Sequence, residues 1–289
     1  MSSHDRSHRQ TLMYYRIAVV QPRVYPDERE ANVEYAAEYI RQAASLGARL
    51  VCLPETYPGP WTPPLDYDPL PALGEAARTH GVYVVVGFIE GAPGRPGQYL
   101  DTLALLGPDG EEVGRYRRTV PEGPWIYKGG PFWDFDYTSG DEAPVFDVGE
   151  TTVGLLVCSE VYVPELARLL AHKGAEILLM PAGMWKKAQW DNWRALLRAR
   201  AIENLAYTAT CQNIVGTEGR QAGLAMICSP EEVVAESSTV GVLVADCDLE
   251  RLRVLRQAKD GPEFPGEKAT KAGALWQWYR PDLFRRLES

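Results

Sequence analysis

The sequence has no long apolar run and no excess of basic residues. None of its hydrophobic stretches approaches the roughly 20 residues that a membrane-spanning helix needs, so a membrane protein is not expected. The formal net charge is -9, which leaves no basic stripe to neutralise phosphates and argues against a nucleic-acid partner. Residues 1–13 are polar and lack the apolar core of a secretory signal. We expect them to form a disordered lead-in to a single domain over residues 14–289, which ends in a C-terminal tail.

Cysteine and histidine are also scarce. The five cysteines are odd in number and scattered, and no CxxC pair occurs, so neither a disulfide framework nor a metal site is indicated. A reducing cytoplasm is the simplest setting for such a chain. His172 lies near the far end of the helix predicted after Cys158, so a Cys–His dyad is not expected. The remaining cysteines lie inside strand patterns and are expected in the core: Cys52, Cys211, Cys228 and Cys247.

Strand and helix patterns alternate along the chain. Arg16–Val20 and Arg49–Leu53 are short and largely apolar, as strands buried on both faces are, and the helical stripe between them ends at Gly47. Hairpin signals such as Pro108-Asp109-Gly110 occur as well as helical crossovers. This mixture predicts an α/β fold: a mixed sheet with helices on its outer faces, or two such sheets packed together.

Cys158 follows the apolar run Val153–Val157 and precedes a helical pattern in which Leu166, Leu169 and Leu170 recur. Residue type alone favours a buried core cysteine. The carboxyl end of a strand, facing the N-terminal end of a helix, is instead where open α/β sheets place ligands and where a thiolate is stabilised. The pattern therefore leaves two alternatives for Cys158, a core residue and a nucleophile.

Two further segments carry reactive side chains. Glu55 directly follows the predicted strand Arg49–Leu53, and Arg118 ends the basic segment "RYRR". A carboxylate at a strand end can act as the base for a thiol, and a nearby cation stabilises both a thiolate and an oxyanion. Taken singly, an acidic residue such as Glu55 is most often a helix cap or a solvated loop charge, and a segment such as that of Arg118 is most often a solvated strand end.

Taken together, the ordered motifs resemble the nitrilase superfamily of carbon–nitrogen hydrolases. "GARLVCLPET" is similar to the segment of the catalytic glutamate, "RYRRTVPE" to that of the catalytic lysine, and "VGLLVCSEVYVPELARLLAHKGAEILLMPAG" to that of the nucleophile. The resemblance extends from "RIAVVQP" to "RPDLF", nearly the whole chain. It implies a four-layer α-β-β-α sandwich in which Glu55 and Cys158 occupy the positions of the catalytic glutamate and cysteine.

The resemblance also implies a mechanism. Glu55 takes the proton of Cys158, and the thiolate attacks the carbon of a small-molecule amide or nitrile. The oxyanion of the amide adduct is held by Arg118 and by the backbone N–H of Ser159. Ammonia or an amine leaves a thioester, which water hydrolyses with Glu55 as the base. No metal and no organic cofactor is required.

One departure from the family pattern leaves the function open. Arg118 stands where the family has its lysine, and arginine does not release a proton at ordinary pH. Lys128 is the nearest lysine along the chain, and we do not expect it to substitute. Three functions are therefore considered. We favour an amidase, and the alternatives are a nitrilase and a catalytically silent relative that binds a small molecule or a partner chain. Glu122 is a candidate second acid.

The resemblance also bears on the pocket and on assembly. Related proteins commonly pair through the helices near the nucleophile, and Val161 and Val163 have the pattern of exposed apolar residues. The tail "ALWQWYRPDLF" is unusually aromatic for a chain end, so we expect a homodimer or a larger assembly with the tail packed on a neighbour. Candidate pocket residues are Trp125, Trp133, Trp185 and Glu160.

Overall fold

A computed structural model of the protein describes residues 14–25, 28–60, 65, 67–121, 136–183, 187–215, 223–257, 270–276 and 279–283. Its strands, in chain order, are β1 Tyr14–Gln21, β2 Arg23–Val24, β3 Leu50–Cys52, β4 Tyr83–Gly91, β5 Gln98–Leu106, β6 Glu112–Arg117, β7 Asp136–Tyr137, β8 Val145–Asp147, β9 Thr152–Leu155, β10 Ile177–Leu179, β11 Tyr207–Thr210, β12 Ile214–Val215, β13 Ala225–Cys228, β14 Val233–Ser237 and β15 Gly241–Asp248. The α-helices are α1 Arg29–Ser45, α2 Leu70–His80, α3 Pro164–His172, α4 Trp190–Asn204, α5 Leu249–Gln257 and α6 Thr270–Trp276.

The strands form two main sheets. In the first, the order is β15, β1, β3, β4, β5 and β6, with β7 beside β5, and in the second it is β14, β13, β11, β10, β9 and β8. Both sheets are mixed. β1, β3 and β4 run parallel, as do β9, β10 and β11, whereas β5 and β6 form the antiparallel hairpin that the Pro-Asp-Gly turn predicts.

Successive residues of β1 point into two different apolar layers, as the period of two in a strand requires. Ile17 and Val19 belong to the core shared with the second sheet, whereas Ala18 and Val20 pack with residues of α1 and α2. On the other side, α3 contacts β9 and β10, and α4 contacts β11 and β13. The layers are therefore helix, sheet, sheet and helix, which confirms the four-layer prediction.

The segment after Cys158 differs from the prediction. A short 3₁₀ helix spans Cys158–Tyr162, and α3 begins only at Pro164. A five-residue 3₁₀ segment has no long aligned stack of peptide dipoles, so the expected stabilisation of a thiolate by a helix N-terminus loses its basis. Val161, expected to be exposed, is completely buried because the 3₁₀ turn directs it into the core.

The described part of the tail packs on its own chain. The His172 ring at the end of α3 stacks on Trp276 and on Tyr279, with ring centroids 4.3 Å and 4.2 Å apart. Trp276 and Tyr279 thus have a stacking partner within their own chain, and the packing of the tail on a neighbouring subunit stays a prediction. The association of two chains stays a prediction.

Candidate active site

Strand ends from both sheets meet at Glu55, which is 3% exposed. Its Oε2 accepts the backbone N–H of Gly183, beyond β10, at 2.5 Å, and its Oε1 accepts from Nη1 of Arg118 at 3.3 Å. Asn213, beyond β11, donates its side-chain amide to the Glu55 carbonyl at 2.8 Å. Both carboxylate oxygens and the backbone of Glu55 are therefore fixed by separate elements.

A glycine allows this turn to sit against β4. A Cβ atom at Gly87 would lie 2.5 Å from the Pro54 carbonyl oxygen and 2.5 Å from the Thr56 nitrogen. Thr56 itself has a φ of +53°, in the left-handed region that non-glycine residues rarely adopt. Gly87 and the strained Thr56 together place the Glu55 carboxylate between the sheets instead of on the outer face.

Cys158, just beyond β9, has the same unusual backbone as Thr56, with a φ of +53°. Such strain persists only where the surrounding structure imposes it, and it concentrates at functional sites. The backbone N–H of Cys158 donates to the Pro181 carbonyl at 2.8 Å, so this N–H is committed and does not serve as an oxyanion donor. The residue is 8% exposed, whereas the four other cysteines are completely buried.

Arg118 joins the glutamate to the turn of the cysteine. The residue is 1% exposed. Its guanidinium donates from Nη1 to Glu55 and from Nη2 to the Ser159 hydroxyl, and Nε donates to the Val120 carbonyl at 3.3 Å. The backbone N–H of Arg118 donates to the Asp101 carbonyl at 2.9 Å. The structure thus brings together three predicted site residues, Glu55, Arg118 and Ser159, and Cys158 is adjacent to the last.

Glu160, expected as a pocket residue, lies beneath the site and is completely buried. Its carboxylate accepts from the Tyr116 hydroxyl at 2.8 Å, from the backbone N–H and hydroxyl of Thr119 at 2.9 and 3.0 Å, and from the N–H groups of Val120 and Val157 at 2.9 and 2.7 Å. Burial raises the pKa of the Tyr116 hydroxyl, which keeps it a donor. Glu160 therefore connects the segment after β6 to the turn that contains Cys158.

We expect Glu160→Gln to lower the free energy of unfolding by about 3 kcal/mol, because an amide cannot accept on both sides and leaves buried donors unpaired. Urea unfolding measures the change. Glu165→Gln, at an exposed position in the first turn of α3, is the matched control and should leave the unfolding midpoint unchanged. Equal midpoints for the two variants would mean that the hydrogen bonds of the Glu160 carboxylate do not stabilise the fold.

Sequence reasoning missed two residues of this site, Asp101 and Asn213. Asp101 on β5 is 3% exposed, and its Oδ2 lies 3.7 Å from Nη1 of Arg118. A signal was present, since an acidic residue interrupts the apolar strand pattern "YLDTLALL" directly across the hairpin from "RYRR". Asn213 had no comparable signal, because its role depends on the meeting of β11 with the other sheet.

Four predicted residues lie outside the described part of the chain: Glu122, Trp125, Trp133 and Trp185.

Within the described ranges, no cluster of three or more His, Cys, Asp or Glu side chains could hold a metal ion. No helix in those ranges is long and apolar enough to cross a membrane. The four other cysteines are completely buried, as predicted, and burial raises the pKa of the Cys52 and Cys247 thiols.

Comparison with known proteins gives matches across most of the chain. Relatives include omega-amidase NIT2 of Homo sapiens, 28% identical over 267 residues that cover 84% of this chain and 92% of that protein. Deaminated glutathione amidase of Synechocystis sp. is 31% identical over 242 residues, with 78% of this chain and 89% of that protein covered.

Solved structures give the same fold. An amidase from Nesterenkonia sp. superposes with a TM-score of 0.73 at 22% identity, over 94% of this chain and 96% of that one. A mutant of the same Nesterenkonia amidase in complex with butyramide has a TM-score of 0.70 at 25% identity, over 84% and 94% of the two chains. The carbon–nitrogen hydrolase family itself matches residues 16–257. The chain therefore belongs to the carbon–nitrogen hydrolase family of the nitrilase superfamily.

Proposed function

We propose that the protein is an amidase that works through a thioester on Cys158. The observation that carries this proposal is the buried Glu55 carboxylate, which is held by the Gly183 N–H and paired with Arg118 beside the Cys158–Ser159 turn. A buried carboxylate can serve as a base, and a thiol at a strained turn is positioned for attack. The amidase names of the relatives favour amides over nitriles.

In the first half of the reaction, Glu55 takes the thiol proton of Cys158 and the sulfur attacks the amide carbon. A C–S bond forms, and the π electrons of the carbonyl move to its oxygen. Arg118 and the backbone N–H of Ser159 stabilise this oxyanion. As the oxyanion collapses, Glu55 gives its proton to the nitrogen, the C–N bond breaks, and ammonia leaves a thioester.

In the second half, Glu55 takes a proton from water while the water oxygen bonds to the thioester carbon. The second oxyanion is stabilised by the same donors as the first. Its collapse breaks the C–S bond, and Glu55 returns the proton to the sulfur of Cys158. The carboxylic acid is released and the resting site is restored, so one carboxylate serves as base and acid in both halves.

Arg118 can fill the electrostatic part of the lysine's role in this scheme. Orienting a carboxylate and stabilising an oxyanion require charge and hydrogen-bond donors, not proton transfer, and a guanidinium supplies both. Because the planar guanidinium is larger than an ammonium, the oxyanion position should shift, and misplacement of about 1 Å can cost about a hundredfold in rate. The substrate range is therefore expected to be narrow.

We expect Arg118→Ala to lower kcat/KM by about a hundredfold to a thousandfold, the usual effect of losing an oxyanion donor. Arg118→Lys should retain activity on part of an amide panel or broaden the range, because it keeps the charge in a smaller group. Ammonia release across one panel measures both variants. The neighbouring Arg117, which pairs with Glu90 instead, gives the control Arg117→Ala. Hydrolysis by Arg118→Ala at the wild-type rate would remove Arg118 from the mechanism.

The proposed function is tested with butyramide, other small primary amides, N-carbamoyl compounds and nitriles. We expect ammonia and the carboxylic acid from at least one amide. Acid and ammonia from nitriles alone would make the protein a nitrilase. Binding of panel compounds without any product would favour the catalytically silent alternative.

A further inference from the structure

Asp101 places a second buried carboxyl group against the Glu55–Arg118 pair. It lies on β5, and both its backbone carbonyl and its side chain face Arg118, with Oδ2 3.7 Å from Nη1. Its Oδ1 is buried and has no hydrogen-bond partner among the residues that the structure describes. An ionised carboxylate oxygen left in this state would cost far more than a protonated carboxyl group, whose proton can be donated to a neighbouring acceptor.

The surrounding charges favour the neutral acid. Burial raises the pKa of Asp101 well above its usual value, the Glu55 carboxylate raises it further, Arg118 opposes the shift, and Glu160 adds a smaller increase. The hydroxyl of Tyr137 on β7 also lies near Asp101, and burial raises the pKa of that hydroxyl, so it brings no charge. One guanidinium faces two carboxyl groups, and a single shared proton makes the group neutral.

Hydrogen bonding decides which carboxyl carries the proton. Both Glu55 oxygens already accept from fixed donors, Gly183 and Arg118, which stabilise the ionised form of Glu55. Asp101 has no comparable set of donors. We propose that Asp101 is a positioning residue that stays protonated at neutral pH and donates its proton in a hydrogen bond to Glu55. This assignment rests on the proposed function only in that Glu55 is the base.

The protonated form would matter to catalysis through Arg118. A neutral Asp101 leaves the positive charge of the guanidinium to Glu55 and then to the oxyanion. An ionised Asp101 would compete for that charge and would repel both the thiolate and the oxyanion. The rate should therefore fall at alkaline pH as Asp101 loses its proton. Asparagine has the shape and the donor of the protonated acid, and it does not ionise.

Infrared spectroscopy tests the protonation without any substrate. In wild-type protein at neutral pH we expect a carbonyl band of a neutral carboxylic acid that shifts when aspartate is labelled with carbon-13. Asp101 is the buried aspartate of the described residues, so the band should be lost in Asp101→Asn. Absence of a label-sensitive acid band from the wild type would overturn the proposal, whether or not the variant folds and whether or not the protein hydrolyses amides.

The pH profile of kcat/KM tests the consequence. Asp101→Asn should stay within about tenfold of wild type at neutral pH and lose the alkaline decline. Asp246→Asn, which removes an exposed carboxylate paired with Arg16, should keep the wild-type profile. A larger loss at every pH would mean that the site needs an ionised Asp101. An alkaline limb unchanged in Asp101→Asn would mean that another group titrates, and either result would contradict the proposal.

Discussion

Cys158→Ala is expected to lower amide turnover by at least about ten-thousandfold, because in the proposed mechanism the thioester forms on the sulfur of Cys158. Alanine keeps the Cβ atom, so the strained backbone at this position is retained and the melting temperature should change little. Ammonia release and thermal unfolding measure the two effects on the same preparation.

The matched control is Cys228→Ala. Cys228 is a completely buried cysteine of the second sheet, and it pairs with Thr208 in the first half of β11, away from the strand ends that form the site. Its loss should affect stability more than turnover. A Cys158→Ala protein that keeps more than about a hundredth of the wild-type rate would exclude a nucleophilic role, since removal of a covalent nucleophile costs far more.

The second large loss of activity is expected for Glu55→Gln. We expect kcat to fall by about a thousandfold or more, because the amide cannot take a proton from the thiol or from water and both half-reactions need that step. Glutamine also offers one acceptor where the glutamate offers two, so either the Gly183 N–H or the Arg118 Nη1 loses its partner. The measurement is kcat for the best amide of the panel.

Glu90→Gln is the control for this change. Like Glu55, Glu90 is paired with arginine, here with Arg115 and Arg117, but it lies on β4 outside the site. Wild-type turnover is expected for the control. If the two glutamine variants were equally active, the base would have to be sought among residues other than Glu55.

The sequence predicted the parts of the site that depend on strand ends. Short apolar runs bounded by turns indicate buried strands, and Glu55 and Cys158 follow such runs directly. β3 and β9 belong to different sheets, so the pattern placed each residue at a strand end but did not bring the two together. Their convergence was expected only from the resemblance to the nitrilase superfamily. The resemblance to the nitrilase superfamily added Arg118, which a motif of basic residues alone would not have separated from a solvated strand end.

Other parts of the site depend on contacts between distant segments. Asn213 reaches Glu55 only because the two sheets pack face to face, and the Glu160 carboxylate accepts hydrogen bonds from donors on β6 and in the turn that follows it. The local preference for helix after Cys158 yielded to the Glu160 contacts, so the backbone forms a 3₁₀ turn. Likewise, no sequence pattern around His172 predicts that its ring stacks on the tail.

Detection of the acyl-enzyme on Cys158 is the most direct test of the proposed mechanism. Wild-type protein is mixed with the best amide, quenched in acid within the first turnover, and analysed by intact mass and peptide mapping. We predict a mass increase equal to the acyl group, located on the peptide that contains Cys158, together with release of one equivalent of ammonia before the acid appears. Steady hydrolysis with the acyl group on another residue, or with none detectable while ammonia and acid appear together at the first turnover, would contradict the mechanism.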